Sequence, residues 1–443
     1  MNSWNWTSDG WVMAVAVMSA VSCALPGCYL VLRRMSLMGD AISHAVLPGL
    51  AIAFLWSQSR SPLPMFIGAV LVGTLTALLT QAVSRSGKVE EGAAMGVIFS
   101  VFFALGLILI RQAADQVDLD PSCVLYGNIE NIGLEATVFG APIAARNLAI
   151  VLTMNVLFIA LFYKELRICA FDPALATTLG INANIMHYAL MILVALTTVA
   201  NFESVGSILV IAMLIIPPVC AHLLTDRLGL MIVLSVVIAG ATGILGRVFV
   251  VFGPGWIGAD FDTNTAALMA VIAGGFLLLA LLFAPEHGLI AATAHRYAVE
   301  RQIIREDILG LLFRWNEMGN RDDQPMSTPN VLDAIGRSGA TRKAIGSLLR
   351  RGDIERTTLA PNAAGAIHEG LRLTPRGLER ATQLIRGHRL WEAYLEKHFE
   401  LPRDHLHMPA ERVEHYLTPM MRDQLAEDLT APDKDPHGRE IPD

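Results

Sequence analysis

The chain has 443 residues, of which 53% are hydrophobic and 16% are charged, and its mean hydropathy is +0.49. These values exclude an ordinary soluble domain and are typical of a membrane protein. The net charge of -7 excludes a general affinity for nucleic acid, so any basic surface must be local. The five cysteines lack Cys-x-x-Cys spacing, which argues against a disulfide scaffold or a thiolate metal cluster.

Charged residues divide the chain into two parts. Residues 1–285 contain 11 Lys and Arg and 15 Asp and Glu, whereas residues 286–443 contain 22 and 25. We therefore predict a transmembrane domain over 1–285, followed by a polar region. Within that region we predict a helical linker over 286–325, a winged helix-turn-helix over 326–374 and further helices over 375–443.

Apolar runs of membrane-spanning length recur as far as residue 284. Nine spans are predicted, with eight or ten as open alternatives: 11–32, 40–57, 64–83, 93–110, 140–163, 184–200, 205–224, 229–251 and 265–284. With the N-terminus outside, the cytoplasmic loops carry seven cations, Arg33, Arg34, Arg85, Lys88, Lys164, Arg167 and Arg227. An odd number of spans then places the polar C-terminal region in the cytoplasm.

The segment GDAISHAVLPG, residues 39–49, places a carboxylate and an imidazole inside an apolar run. Asp40 and His44 are four residues apart, so a helix presents both side chains on one face. Ionisable groups within a membrane are costly and mark functional sites. Because a carboxylate with an imidazole suits Mn²⁺, Fe²⁺ or Zn²⁺, we interpret the pair as a divalent-metal site. The alternative is that both groups bond or cap neighbouring spans.

The stretch RRMSLMGDAISHAVLPGLAIAF closely resembles the signature of permease subunits of zinc-, manganese- and iron-transporting ABC importers, and so does FDPALATTLGI...ANFESVGSILVIAMLIIPPVCAHLLTDRL. The resemblance covers about residues 10–285. It implies an all-α, polytopic, vitamin-B12-permease-like bundle in the inner (plasma) membrane. It also implies a dimer that works with a cytoplasmic ATPase and an extracytoplasmic metal-binding protein, and a translocation route past Asp40 and His44.

The sequence contains no G-x-x-x-x-G-K-[ST] phosphate loop, so ATP hydrolysis is expected from a separate subunit and this chain is not expected to be an enzyme. The segment FDPALATTLGI lies in a predicted cytoplasmic loop and, from its residues alone, is only an amphipathic loop. In permeases of this kind a short helix here docks the ATPase. The resemblance therefore assigns docking to Phe171, Asp172, Leu179 and Gly180.

The polar region contains a helix-turn-helix pattern in TPNVLDAIGRSGATRKAIGSLLRRGDIER, with a turn at Ser338-Gly339 and a stop at Gly352. Two short strands around a Pro/Asn/Gly loop are predicted to form a wing. Thr374 is predicted to cap a long helix that runs to about His398. The second helix of the motif is basic through Arg342, Lys343, Arg350 and Arg351. These cations indicate either contact with DNA phosphates or a solvated helix surface.

Carboxylates and imidazoles recur at helical spacing near the C-terminus. One helix carries His388 and Glu392, and the next carries His407, Glu411, Glu414 and His415. Converging side chains of these types favour a hard-to-borderline divalent metal such as Mn²⁺ or Fe²⁺. The alternative is a charged, solvated face.

The same region, GHRLWEAYLEKHFELPRDHLHMPAERVEHYLTPMMRDQLAEDL...DPHGREIP, resembles the metal-binding and dimerisation domain of the diphtheria-toxin-repressor and manganese-repressor family, preceded by its winged helix. The resemblance covers about residues 300–442. By position it implies that the ligands are His388, Glu411, Glu414 and His415, with Glu392 and His407 at an auxiliary site. Asp307 matches a further ligand, but the next family ligand falls on Gly310, which has no side chain. Glu411 favours the manganese-type arrangement.

Together these features predict a permease subunit of an ABC importer for Mn²⁺, Fe²⁺ or Zn²⁺, fused to a cytoplasmic metal-sensing domain. The first alternative is a membrane-tethered or proteolytically released metal-dependent repressor. The second is a proton-driven transporter that needs no ATPase. The sequence leaves open which metal is carried and whether the C-terminal domain binds DNA.

Overall fold

The computed structural model describes residues 5–35, 37–57, 62–113, 127, 129–134, 137–138, 140–257, 264–319, 325–336, 338–359, 369–399, 402, 405–430 and 432–442. The chain divides into two compact units, Met1–Ala292 and Thr293–Asp443. The predicted fold class is confirmed, because the first unit is helical and rich in membrane-length helices and the second contains a winged helix-turn-helix with further helices.

The first unit is built mainly from helices. In chain order they are α1 (Ser8–Leu32), α2 (Met38–Ala45), α3 (Leu47–Ser57), α4 (Pro62–Gly87), α5 (Glu91–Ala113), α6 (Ile143–Leu161), α7 (Tyr163–Phe171), α8 (Pro173–Thr178), α9 (Ala183–Val205), α10 (Ser207–Leu224), α11 (Leu228–Ile257) and α12 (Thr265–Phe283). A 3₁₀ turn (Ile129–Leu134) and a two-stranded antiparallel pair, β1 (Thr137–Val138) with β2 (Ala141–Pro142), precede α6.

Within the described ranges, nine segments are long and apolar enough to cross a membrane, which confirms the predicted number. They are α1, α2 with α3 as one span, α4, α5, α6, α9, α10, α11 and α12. The predicted span 40–57 differs in one respect, because it is interrupted at Val46. Pro48 has no N–H to donate to the carbonyl of His44, so the regular hydrogen-bond ladder is broken directly after the ionisable pair.

Helix α1 forms the centre of this unit and packs against α6, α9, α10 and α11. Its buried face is rich in small residues such as Ala16, Ala20 and Ala24, which allow close helix approach. A Cβ atom on Gly27 would lie 2.1 Å from the backbone oxygen of Leu214, so only glycine fits at this crossing. Helices α5 and α12 are the least buried spans, and their exposed aliphatic side chains suit contact with lipid.

The second unit contains most of α13 (Leu289–Met318), followed by β3 (Met326–Ser327), α14 (Thr328–Ile335), α15 (Gly339–Arg351), β4 (Ile354–Thr358), β5 (Glu369–Leu373), α16 (Pro375–Phe399), α17 (His407–Val413), a 3₁₀ turn (Glu414–Tyr416) and α18 (Pro419–Asp428). The three strands form one antiparallel sheet in the order β3-β5-β4. Helices α14 and α15 with the β4-β5 wing have the winged helix-turn-helix arrangement.

Local signals explain where these helices begin and end. The Ser338 hydroxyl accepts a hydrogen bond from the Thr341 N–H at 3.1 Å, and the Thr374 hydroxyl accepts one from the Gly377 N–H at 3.1 Å. Gly352 ends α15 in the left-handed conformation, with φ of 71°, which a glycine adopts without strain. Apolar residues such as Ile308 and Leu348 are buried in one cluster with strand residues such as Leu371, and this cluster forms a core of the unit.

Candidate metal sites

Asp40 and His44 form the candidate site in the first unit. Both lie on α2, and Nε2 of His44 is 3.4 Å from Oδ1 of Asp40. Both side chains are half-buried, and the His44 ring packs against Phe99 and Phe103 of α5, with the ring centroids 5.5 and 5.8 Å apart. The structure therefore brings the predicted pair together on one helical face, next to the interruption at Val46.

The second unit contains two groups of metal-ligating side chains, each with donor atoms within 4.8 Å of one another. The His388 cluster consists of His388, Glu392 and His407. Nε2 of His388 lies 3.1 Å from Oε1 of Glu392 and 3.0 Å from Nδ1 of His407. His388 and Glu392 are buried on α16, whereas His407 reaches the cluster from the start of α17. The structure thus unites the three residues that sequence spacing placed on two helices.

The His415 cluster consists of Asp307, Glu414 and His415. Nε2 of His415 lies 3.2 Å from Oδ1 of Asp307 and 3.8 Å from Oε1 of Glu414. The other oxygen of Glu414 is 2.5 Å from Nδ1 of His388, so this buried carboxylate joins the two clusters. Each cluster combines carboxylate oxygen with imidazole nitrogen, a donor set that fits Mn²⁺, Fe²⁺ or Zn²⁺.

Electrostatics favour charged pairs within both clusters. Burial lowers the pKa of His415, but hydrogen bonds to Asp307 and Glu306 outweigh it and raise that pKa to about 10. Burial also opposes ionisation of Glu392, yet hydrogen bonding to His388 brings the pKa of Glu392 down to about 2. The pKa of His388 is raised despite its burial, because Glu392 and Glu414 both bond to it. Both imidazoles are therefore favoured in the protonated form, facing ionised carboxylates, and a metal that binds there must displace their protons.

Glu411 lies outside both clusters within the described part of the chain, and its side chain is exposed on α17. The helix tightens into a 3₁₀ turn at Glu414, which changes the angle between successive side chains from the α-helical value. Glu414 is consequently buried while Glu411 faces away. The role of Glu411 as a metal ligand stays a prediction.

Three residues that sequence spacing did not identify contribute to these clusters. Oε2 of Glu306 is 2.8 Å from Nδ1 of His415, on the side opposite Asp307. A nitrogen of Arg314 lies 4.0 Å from Glu414, and Nε2 of His437 lies 4.0 Å from Glu392. Glu306 and Arg314 both lie on α13, where the candidate ligand Asp307, directly after Glu306, was the available signal. Gly310 is buried on this helix against Leu384.

The segment predicted to dock an ATPase is exposed. Phe171 and Leu179 are 61% and 59% exposed, and their role in docking a partner stays a prediction. Oδ1 of Asp172 accepts hydrogen bonds from the N–H groups of Ala174 and Leu175 and so begins the short helix α8. Gly180 ends this segment with φ of 82°.

The four cations predicted for DNA contact, Arg342, Lys343, Arg350 and Arg351, are all exposed on α15. Arg351 differs from the other three, because it lines a cavity together with residues of α13 and α16. Exposure fits both interpretations given by the sequence, and DNA contact stays a prediction.

The first unit contains a buried ionic network that the sequence patterns did not predict. Arg247 of α11 pairs with Asp9 of α1 and, at 2.5 Å, with Oε2 of Glu130. It also donates a hydrogen bond to the Thr265 hydroxyl at 3.0 Å, and Thr265 donates its N–H to Glu130 at 2.7 Å. The Arg247 and Asp9 side chains are only 10% and 11% exposed. The network therefore ties α1, α11 and α12 to the 3₁₀ turn.

The family comparison decides the class of the first unit. Residues 9–284 match the model described as "ABC 3 transport family". The chain belongs to this family. Residues 374–443 also match the model "Iron dependent repressor, metal binding and dimerisation domain", which covers α16 to α18 and hence most of both clusters. The predicted combination of a permease of this family with a repressor-like domain is therefore confirmed.

Individual relatives agree with this membership. The chain is 43% identical to the manganese transport system membrane protein MntD of Bacillus subtilis over 64% of this chain and 94% of that protein. It is 38% identical to the zinc transport system membrane protein TroD of Treponema pallidum, over 66% of this chain and 84% of that protein. The solved structure of PsaBC from Streptococcus pneumoniae in complex with Fab matches with 33% identity and a TM-score of 0.52, over 63% of this chain and 92% of that chain.

Proposed function

We propose that this chain is the membrane-spanning permease subunit of an importer that moves Mn²⁺, Fe²⁺ or Zn²⁺ and is driven by a separate ATPase. The observation that carries the proposal is the Asp40-His44 pair, which offers an oxygen and a nitrogen donor inside an apolar span. The names of the relatives support divalent metals as the substrate class, since they include manganese and zinc transport proteins.

In this mechanism the metal is the substrate and passes Asp40 and His44 on its way through the membrane. Two donors are fewer than such cations prefer, so binding would be weak enough for release once the surroundings change. The interruption at Val46 gives α2 a point where it can move separately from α3. ATP binding and hydrolysis in the partner would drive alternating access by reshaping a permease dimer.

The partners proposed here rest on the family resemblance, and an exposed segment and the sidedness of the loops support them. The α7-α8 segment, with Phe171 and Leu179 exposed, is the proposed docking surface for the cytoplasmic ATPase. An extracytoplasmic metal-binding protein would deliver the metal to the opposite side. The chain would be a multi-pass protein of the inner (plasma) membrane, with lipid around its spans and with the second unit in the cytoplasm.

The second unit would sense the metal that has entered. The His388 and His415 clusters share Glu414, so occupancy of one would alter the charge that faces the other. Imported metal bound there would regulate the transporter by negative feedback. The fused winged helix supports a second function, binding of DNA phosphates through Arg342 and Lys343, which are both exposed. A gel-shift titration of the full chain with genomic DNA fragments, with and without Mn²⁺, tests that function.

Uptake of radioactive Mn²⁺ into vesicles that contain the chain with its ATPase tests the transport proposal. Asp40→Asn removes the negative charge of one donor and His44→Gln removes the imidazole nitrogen, both with little change in volume, and each should lower uptake by about tenfold or more. His295→Gln is the matched control, since this histidine is exposed on α13. Normal uptake by the first two variants would disprove the site. Uptake without the ATPase would instead favour a proton-driven transporter.

A further inference from the structure

A cavity of about 500 Å³ in the second unit has walls rich in guanidinium and amide groups. Four helices contribute, namely α13, α15, α16 and α18. The donor-bearing side chains are Gln302, Arg305, Arg351, Arg380, Gln383 and Arg422. The positive charges of four arginines around one cavity repel one another at short range, so they require negative charge nearby.

The carboxylates of this region are already engaged with other partners. Glu306 is bonded to His415 at 2.8 Å and accepts a hydrogen bond from Gln302 at 2.9 Å. Asp353 accepts one from Arg380 at 2.8 Å, and Glu414 is bonded to His388. The cavity therefore has few carboxylate oxygens left to neutralise its remaining cations.

Two of the arginines form no ion pair with a carboxylate in the described part of the chain. Among the residues that the structure describes, no carboxylate oxygen lies within 4.0 Å of the guanidinium nitrogens of Arg305 or Arg351. The cavity is thus a concave, donor-rich surface in which an anion would relieve repulsion.

We propose that this cavity binds a small phosphate-bearing anion, held between Arg305 of α13 and Arg351 of α15, with Arg380 and Arg422 at its rim. The planar fork of each guanidinium matches two phosphate oxygens, which makes arginine suited to such ligands. The volume falls within the range of about 300 to 1,000 Å³ that small-molecule sites occupy, and it exceeds what inorganic phosphate alone would fill. A nucleoside phosphate and inorganic phosphate are the two sources of this chemistry.

The same cavity is also lined by Glu306, Glu414 and His415. If the His415 cluster holds a divalent cation, as the proposed function states, that charge would lie in the cavity wall and strengthen anion binding. Phosphate and metal would then bind with positive coupling. The binding of the anion itself depends only on the arginines, so it can be tested whether or not the transport proposal holds.

Isothermal titration of the full-length chain in detergent, first with ADP and then with inorganic phosphate, tests the proposal. We expect saturable binding of at least one of these two anions. The anion that binds more tightly shows whether the natural ligand is a nucleoside phosphate or inorganic phosphate. The Arg305→Gln/Arg351→Gln double variant should bind about tenfold more weakly or worse. Arg305→Lys keeps the charge but loses the fork, and should show an intermediate loss. Arg412→Gln is the matched control, because Arg412 is exposed on α17 and does not line the cavity.

Mn²⁺ should tighten anion binding by the parent chain. Size-exclusion chromatography after a 42 °C challenge would confirm that each variant remains folded. Three outcomes overturn the proposal. The first is absence of saturable binding of either anion, and the second is equal affinity in the parent and the folded double variant. The third is loss of duplex DNA binding, but not of small-anion binding, when both arginines are replaced.

Discussion

The ionic network around Arg247 should be a principal source of stability in the first unit. Arg247→Gln removes the guanidinium that pairs with both Asp9 and Glu130, and it leaves these two carboxylates without their shared cation. Removing one partner of a buried ion pair costs about 3 to 5 kcal/mol, because the remaining charge stays buried. Since Glu130 is 36% exposed and water can reach it, we expect a loss at the lower end, about 3 kcal/mol.

This loss corresponds to a fall of roughly 6 to 10 °C in the unfolding midpoint of a domain of this size. Four cysteines among the described residues, Cys23, Cys28, Cys169 and Cys220, are free and buried, so in a Cys123→Ser background they will react with a thiol-specific dye only when the helices separate. Heating the detergent-solubilised chain with such a dye therefore reports unfolding of the first unit.

Two further variants make the reasoning refutable. Asp9→Asn combined with Arg247→Gln removes one of the orphaned charges, and it should recover at least half of the lost midpoint. Arg146→Gln is the matched control, because Arg146 is exposed on α6, and its midpoint should stay within about 1 °C of the parent. An unchanged midpoint in Arg247→Gln, or an additive loss in the double variant, would show that the network does not stabilise the fold.

Other substitutions and conditions test separate parts of the molecule. Gly49→Val should abolish folding or uptake, because its Cβ would lie 2.4 Å from the backbone oxygen of Gly68. Gly240→Val is the control, since a Cβ there meets no atom within 4 Å. Equal yields and uptake rates for the two variants would contradict this helix crossing. Asp172→Ala removes the cap of α8, a loss of about 1 kcal/mol, and should reduce copurification of the ATPase while Asp172→Ser retains it. Protonated His415 stabilises the metal-free second unit fully below about pH 6.5, and this stabilisation is lost as pH rises through about 10. A thermal midpoint that does not fall over this interval would argue against the pairing of His415 with Asp307 and Glu306. Over the same interval Mn²⁺ affinity should rise, which isothermal titration measures, because the metal displaces that proton.

Local sequence patterns predicted most of the secondary structure. Charge density separates the two regions, and hydropathy predicts nine spans, because a membrane imposes a minimum length of apolar helix. Ser338 and Thr374 mark helix starts through short-range hydrogen bonds that their own hydroxyls make. The approach of Asp40 to His44 was predictable for the same reason, since the 3.6-residue period alone places i and i+4 on one face.

Contacts between distant residues were not predictable in this way. Periodicity assigned Glu411, Glu414 and His415 to one face, but the 3₁₀ turn at Glu414 leaves Glu411 exposed. Glu306, more than a hundred residues earlier, bonds to His415 because α13 packs beside the C-terminal helices.

The sequence by itself determined that this protein has a membrane-spanning part, a polar part and carboxylate-imidazole pairs within each, because these features depend on composition and helical period. Only the tertiary structure decided which side chains meet across helices. Arg247 reaches Asp9 over a separation of 238 residues, and Glu414 joins the two clusters. Such encounters depend on the packing of whole helices, which is set by the sum of many weak contacts and cannot be assigned to any local pattern.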